Sequence, residues 1–178
     1  MSTLETTPSP PEQKKVFLAA VDESEESMHA LSWFANKILP ASSSGHHRST
    51  LVLLYIKPPR SLYLYPDDAG HMFSADVMTA MDKYRNDVAE CVMLKAKRVC
   101  NEAAGNNDHH HVKVETMIEN GDARDVICQV VDKLCVDVLV MGSHGYGPIK
   151  RAFLGSVSNH CAQNVKCPIL IIKRPTSN

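Results

Sequence analysis

The residues best suited to chemistry lie in one stretch, Met141-Gly142-Ser143-His144-Gly145-Tyr146-Gly147, which runs on through Pro148, Lys150 and Arg151 to Gly155-Ser156. A continuous apolar run, Val138 to Met141, precedes it, and a helix-like segment from Val157 to Val165 follows. Glycines between a strand and a helix stand where an α/β sheet binds a phosphate. Glycine permits φ > 0 and lets backbone N–H groups approach an anion. The unpaired N–H groups at the start of the next helix carry the positive end of its dipole. Ser156 and Ser158 add hydroxyl donors, His144 can reach a phosphate or a ribose, and the charges of Lys150 and Arg151 suit a polyphosphate. The spacing is not G-x-x-x-x-G-K-[ST]. Nor is it G-x-G-x-x-G, because Pro148 follows Gly145-Tyr146-Gly147. On spacing alone two readings stand: an anion cradle, or a βα loop whose glycines serve only turns.

Asp22 adds weight to the first. It ends the apolar run Val16 to Val21. In a doubly wound sheet the C-terminal ends of the first and fourth strands flank the topological switch point. A carboxylate there accepts hydrogen bonds from ribose hydroxyls. It also suits the cap of the following helix, and the two roles are compatible.

The elements that must hold these residues alternate. Val16 to Val21 and Leu51 to Ile56 are apolar throughout and short, as strands buried on both faces are. Between them a helix fits Glu25 to Leu39, with Met28, Leu31, Phe34, Ala35 and Ile38 at helical spacing, Ser24 as cap, and Glu25 and Glu26 at the positive end. Pro40 and the polar run 41–49 stop it. The Pro-rich link from Lys57 to Phe73 is long enough to read as a partly ordered flap. Ser74 to about Ala104 reads as a long helix whose apolar stripe is Val77, Met81, Tyr84, Val88, Cys91 and Val99, interrupted by a snorkelling Lys95. Val112 to Ile118 alternates with period two, as a half-exposed strand near a sheet edge does. Asp122 caps a helix bearing Val126, Ile127, Val130, Val131 and Leu134. Val138 to Met141 and Ile169 to Ile172 complete five strands. Right-handed crossovers then give an α/β fold with one doubly wound, mostly parallel sheet and helices on both faces.

Composition narrows the function. At 178 residues, 44% hydrophobic and 22% charged, the chain has the make-up of one globular domain. A net charge of -1 gives no field that steers it to nucleic acid or anionic lipid. No apolar run is long enough to span a membrane. Residues 1–13, rich in Ser, Thr and Pro, carry neither an apolar core nor arginine, and read as a disordered tail of a cytoplasmic protein rather than a leader. The domain is placed at 14–174, with 175–178 a second tail. The six cysteines contain no C-x-x-C pair and read as buried, reduced thiols. His46-His47 and His109-His110-His111 sit in polar loops without the spacing of a metal site.

Gly142, Gly145, Gly155 and Ser156 together fill G-x2-G-x9-G-[ST], which resembles the ATP-binding signature of the universal stress protein family. The setting is similar too: Met-Gly-Ser-His-Gly at 141–145, Leu-Gly-Ser-Val at 154–157, Cys-Pro-Ile-Leu-Ile-Ile-Lys-Arg at 167–174, Val21-Asp22-Glu23-Ser24, and Gly121-Asp122-Ala123. The flap and the Gly-Asp-Ala-Arg-Asp-Val run look most like plant members. The resemblance implies strand order 3-2-1-4-5, and ATP or AMP in the cleft. Ala20, Val21 and Asp22 would line the adenosine site, with Asp22 on the ribose and Ile56 meeting adenine through its backbone. Met141, Gly142, His144 and Gly145 would follow the ribose and α-phosphate, and Gly155, Ser156, Val157 and Ser158 would hold the remaining phosphates. Any Mg²⁺ would be held through the phosphates. A homodimer through Ile169, Leu170, Ile171 and Ile172 is implied as well, and it would cover an apolar edge. Three functions compete: a nucleotide sensor or switch, a slow ATPase or adenylyl-transferring enzyme, and a redox-responsive chaperone-like module. An enzyme needs a base, acid or metal ligand at the phosphates, and the loop offers only His144, Lys150 and Arg151. That favours the sensor.

Overall fold

The computed structural model describes residues 14–39, 49–59, 75–105, 112–143 and 154–175. Five strands, β1 (Lys15–Ala20), β2 (Ser49–Lys57), β3 (Val112–Asn120), β4 (Val138–Gly142) and β5 (Ile169–Ile172), form one sheet of order β3-β2-β1-β4-β5. Every pairing is parallel. The helices are α1 (Glu25–Lys37), α2 (Ala75–Gly105), α3 (Ala123–Leu134) and α4 (Ser156–Asn164). Both the α/β class and the strand order match expectation.

The continuous apolar runs of β1 and β2 follow from burial on two faces. Phe17 and Ala19 of β1 and Leu51 and Leu53 of β2 pack with Leu31 and Phe34 of α1 and Ala96 of α2. Leu18, Val52, Leu54 and Leu139 point the other way, into a second core with Ile127, Val130 and Val131 of α3 and Cys161 of α4. β3 lies at the edge and is at most half-buried, as its alternation requires.

The long helix departs from its expected face. Val77, Met81 and Tyr84 are 41%, 51% and 70% exposed, and Cys91 is exposed too. The buried residues are Ala89, Val92, Met93, Ala96, Cys100 and Ala103. At 100° per residue this face is rotated about a quarter-turn from the expected stripe. Alanines at 89, 96 and 103 let α2 approach the sheet closely, and small residues give a weak hydrophobic signal for the area they enclose. Only Val88 and Val99 of the expected stripe pack against the core. Lys95 bonds Glu25 of α1 at 2.7 Å.

All six cysteines are free, but only Cys100 and Cys161 are buried; Cys91 and Cys135 are exposed. The expectation of buried thiols therefore holds only for Cys100 and Cys161; Cys128 and Cys167 are half-buried, Cys91 lies on the solvent face of α2, and Cys135 is the C-cap of α3. The tails 1–13 and 176–178, the flap from residue 60 to 74 and the histidine clusters lie outside the described residues.

Candidate functional site

The order β3-β2-β1-β4-β5 places the switch point between β1 and β4, which pair with Ala19 opposite Val140. Ala20, Val21 and Asp22 therefore leave the sheet beside Met141 and Gly142. The chain after β1 turns to α1 on one face, and the chain after β4 leads to α4 on the other. Diverging connections of this kind open a crevice at the C-terminal ends of the strands.

Asp22 is held by its own loop. Its Oδ1 accepts from Ser24 N–H at 3.0 Å and from the Ser24 hydroxyl. Ser24 is the N-cap of α1, and its Oγ accepts from Ser27 N–H at 3.1 Å. The buried Ser27 hydroxyl lies 3.1 Å from the carbonyls of Asp22 and Ser24, within donating distance of either. The cap of α1 is therefore Ser24, and Asp22 supports it from one oxygen. Oδ1 fixes the loop, while Oδ2 accepts no hydrogen bond from the described residues.

Ile56 lies near the end of β2. Leu54 gives its carbonyl to Val21 N–H at 2.9 Å. In a parallel ladder alternate residues turn their peptide groups to the same neighbour. Ile56 therefore turns its N–H and C=O toward β1, two residues past the last bond.

Tyr55 is a member of this region that sequence reasoning missed. Its buried hydroxyl donates to Glu23 Oε1 at 2.5 Å and pins the β1–α1 loop from the sheet. Burial, and then the hydrogen bond to Glu23, push the phenol above its ordinary range, so it remains a donor. A tyrosine in an apolar strand reads as core, and no spacing ties it to Glu23.

The glycine stretch divides in two. Gly142 is buried, and a Cβ there would stand 3.0 Å from the carbonyl carbon of Glu26 and 3.1 Å from Ser27 N. Its lack of a side chain lets the first turn of α1 lie against β4. Ser143 closes the far end: its N–H donates to the Ile172 carbonyl at 3.1 Å, and its own carbonyl accepts from Gly155 N–H at 2.7 Å. The buried Ser158 hydroxyl lies 3.1 Å from the Ser143 carbonyl and 3.0 Å from that of Gly155. Ser158 thus ties the ends of the 144–153 segment together and turns its proton inward, away from the phosphate position expected for it.

Gly155 is the N-cap of α4 and supplies no side-chain cap, whereas Ser24 and Asp122 cap α1 and α3 with theirs. The N–H groups of Ser156, Val157 and Ser158 find no partner among the described residues. Ser156 is exposed and Val157 half-buried. His144, Gly145, Lys150 and Arg151 fall outside the described residues. Among the described residues no cluster of His, Cys, Asp and Glu could hold a metal ion.

A parallel sheet of this order, with a carboxylate just past β1 and an uncapped helix after β4 on either side of the switch point, defines a doubly wound α/β fold. The chain belongs to the universal stress protein family, whose sequence profile matches residues 14–173. A universal stress protein A-like protein of Arabidopsis thaliana is 43% identical over 70 residues, 38% of this chain and 40% of that relative. The match thus spans less than half of the relative's length. Among solved structures, a universal stress protein of Lactobacillus plantarum superposes with a TM-score of 0.65 at 19% identity, covering 89% of this chain and 97% of that one. A family member from Arabidopsis thaliana with AMP bound superposes with a TM-score of 0.59 at 22% identity, covering 90% and 92%. At these identities the structural likeness is one of fold.

Proposed function

We propose that this chain is an adenine-nucleotide sensor of the stress response, holding ATP or AMP across the C-terminal ends of β1 and β4 and acting as a homodimer in the cytoplasm. One observation carries the reading. The uncommitted Oδ2 of Asp22 and the unpartnered N–H groups at the start of α4 border one crevice, on adjacent strands. An acceptor on one side suits ribose hydroxyls; donors at the positive end of a helix on the other suit phosphates. Ala20, Val21, Ile56 and Met141 would enclose the adenosine, with the Ile56 peptide groups toward adenine. Gly142, His144 and Gly145 would follow the α-phosphate, and Gly155, Ser156 and Val157 the phosphates beyond it. The AMP held by the Arabidopsis structure of similar fold supports an adenine nucleotide.

Among the described residues, the groups nearest the phosphate end are N–H donors and the Ser156 hydroxyl, which hold charge rather than move protons. That supports a holding role over hydrolysis. A Mg²⁺ ion would be carried by phosphate oxygens and water. The free cysteines suit a reducing compartment. β5 supports the homodimer, because its four apolar residues, each half-buried, form an outer edge that a second β5 can cover.

The test is mass spectrometry of small molecules released on denaturing the purified protein, with calorimetric titration of ATP and AMP into the emptied protein. Adenine nucleotide is expected in the first and saturable binding in the second. Neither result appearing would end this reading.

A further inference from the structure

A cavity of about 530 Å³ opens at the C-terminal ends of β2 and β3, against the side of α2. Its lining among the described residues includes Lys57, Asp82, Arg85, Asn86, Asn120 and Gly121. The strand order sets β1 between this corner and the α4 cradle at β4. The volume falls within the range of about 300–1,000 Å³ usual for small-molecule pockets.

The walls are rich in donors. Lys57 Nζ donates to Asn86 Oδ1 at 3.0 Å, and both residues line the cavity. The Arg85 guanidinium donates to the Pro58 carbonyl and reaches Asp82 Oδ1 at 3.4 Å. Those bonds engage Nη1 and Nη2, and a guanidinium carries five N–H donors in all. The Arg85 side chain is only 21% exposed. Two cations meet one carboxylate across this lining. The cations come from different elements, β2 and α2, and converge only in the fold.

We propose that this cavity is a second ligand site, separate from the nucleotide cleft, for a small hydroxylated metabolite carrying a phosphate or carboxylate group. The planar guanidinium of Arg85 suits either anion, with Lys57 as a point charge beside it. The cavity is larger than a bare anion fills. The Asn86 and Asn120 amides supply polar groups for the hydroxyls of the ligand body, beside an Asp82 that is already paired with Arg85. The proposal rests on this lining alone and does not require nucleotide in the crevice at β1 and β4.

The test is a ¹H–¹⁵N NMR titration of the full chain with glucose 6-phosphate, gluconate and inorganic phosphate, read at the Gly121 amide and the Asn86 and Asn120 side chains. Saturable shifts are expected with glucose 6-phosphate or gluconate, at lower concentration than with inorganic phosphate. Which of the two acts tells phosphate from carboxylate. Arg85→Gln should weaken the response about tenfold, the loss of one charge-assisted hydrogen bond. Lys57→Gln gives the same reading should the first variant misfold. Saturating ATP should leave these shifts in place. Unsaturable shifts with all three compounds, displacement by ATP, or unchanged affinity in the folded variants would each overturn the proposal. A protein that fails to bind ATP leaves this readout intact.

Discussion

Gly142 of β4 touches the backbone of Glu26 in α1: a Cβ at 142 would stand 3.0 Å from the Glu26 carbonyl carbon and 3.1 Å from its oxygen. A glycine that looks from sequence like a phosphate contact is therefore also a packing contact between two elements. α1 begins three residues after Asp22, so the same contact sets where the Asp22 loop sits.

Gly142→Val should lower stability even in the absence of any nucleotide, by about 1–3 kcal/mol as other overpacked sites do. Chemical unfolding of the emptied protein measures this. Ser156→Ala changes an exposed residue and should fall within about 0.5 kcal/mol of the parent. If Gly142→Val unfolds at the parental midpoint, the α1 contact is not what requires glycine there.

Asp22→Ala should weaken ATP and AMP by the same factor, about 10- to 100-fold for the loss of a charged hydrogen-bond partner. The shared factor follows from the proposed site, in which Asp22 lies on the β1 side of the crevice and the N–H groups proposed to hold the phosphates lie at the start of α4. Calorimetry with both nucleotides gives the ratio. A much larger loss for ATP than for AMP would place Asp22 at the phosphates instead. Asp22→Ala also removes the acceptor of Ser24 N–H, so its unfolding curve should be measured beside its affinity.

The two faces of α2 give a test of packing. Ala96 is fully buried, whereas Tyr84 is 70% exposed. Ala96→Leu should cost about 1–3 kcal/mol by forcing α2 off the sheet, while Tyr84→Ser should stay within about 0.5 kcal/mol. Denaturant midpoints at unchanged slope decide it. Equal effects would restore the face that large apolar residues suggest.

This helix marks the boundary of what sequence conveys. β1, β2 and β4 carry four or more apolar residues in a row, as strands buried on both faces do, and the half-buried edge strand β5 shares the pattern. Ser24 and Asp122 announce their helices because a cap needs a side-chain oxygen at one position. Alanine at 89, 96 and 103 carries almost no hydrophobic signal, although it lets the backbone come closest. The site divides in the same way. Asp22, Gly142 and Gly155 stand at element ends, where local sequence fixes their place. The Tyr55–Glu23 bond joins residues 32 apart in sequence, and Ser158 to Ser143 joins residues 15 apart. Only the folded sheet decides such partners, and it turns Ser158 from an expected phosphate donor into a clamp.

Cys161 predicts a pH dependence. It is fully buried, and burial lifts its thiol from an ordinary 9.0 to about 12. The folded protein therefore keeps a proton that the unfolded chain gives up near pH 9. Stability from this group is present in full below pH 9 and is lost as pH rises from there toward about 12, because the unfolded state binds fewer protons across that window. Burial raises Cys100 as well, to about 11, so the two slopes add. Urea unfolding between pH 8 and 10.5 should show stability falling with pH. Cys161→Ala should be less stable at pH 8, since it removes a buried side chain, but should lose less on going to alkaline pH. The same burial keeps Cys161 unreactive: at pH 8 an alkylating reagent should modify the exposed Cys91 and Cys135 first and leave Cys161 untouched until the chain unfolds. Rapid modification of Cys161 in the folded protein would instead support the redox-responsive reading of this chain.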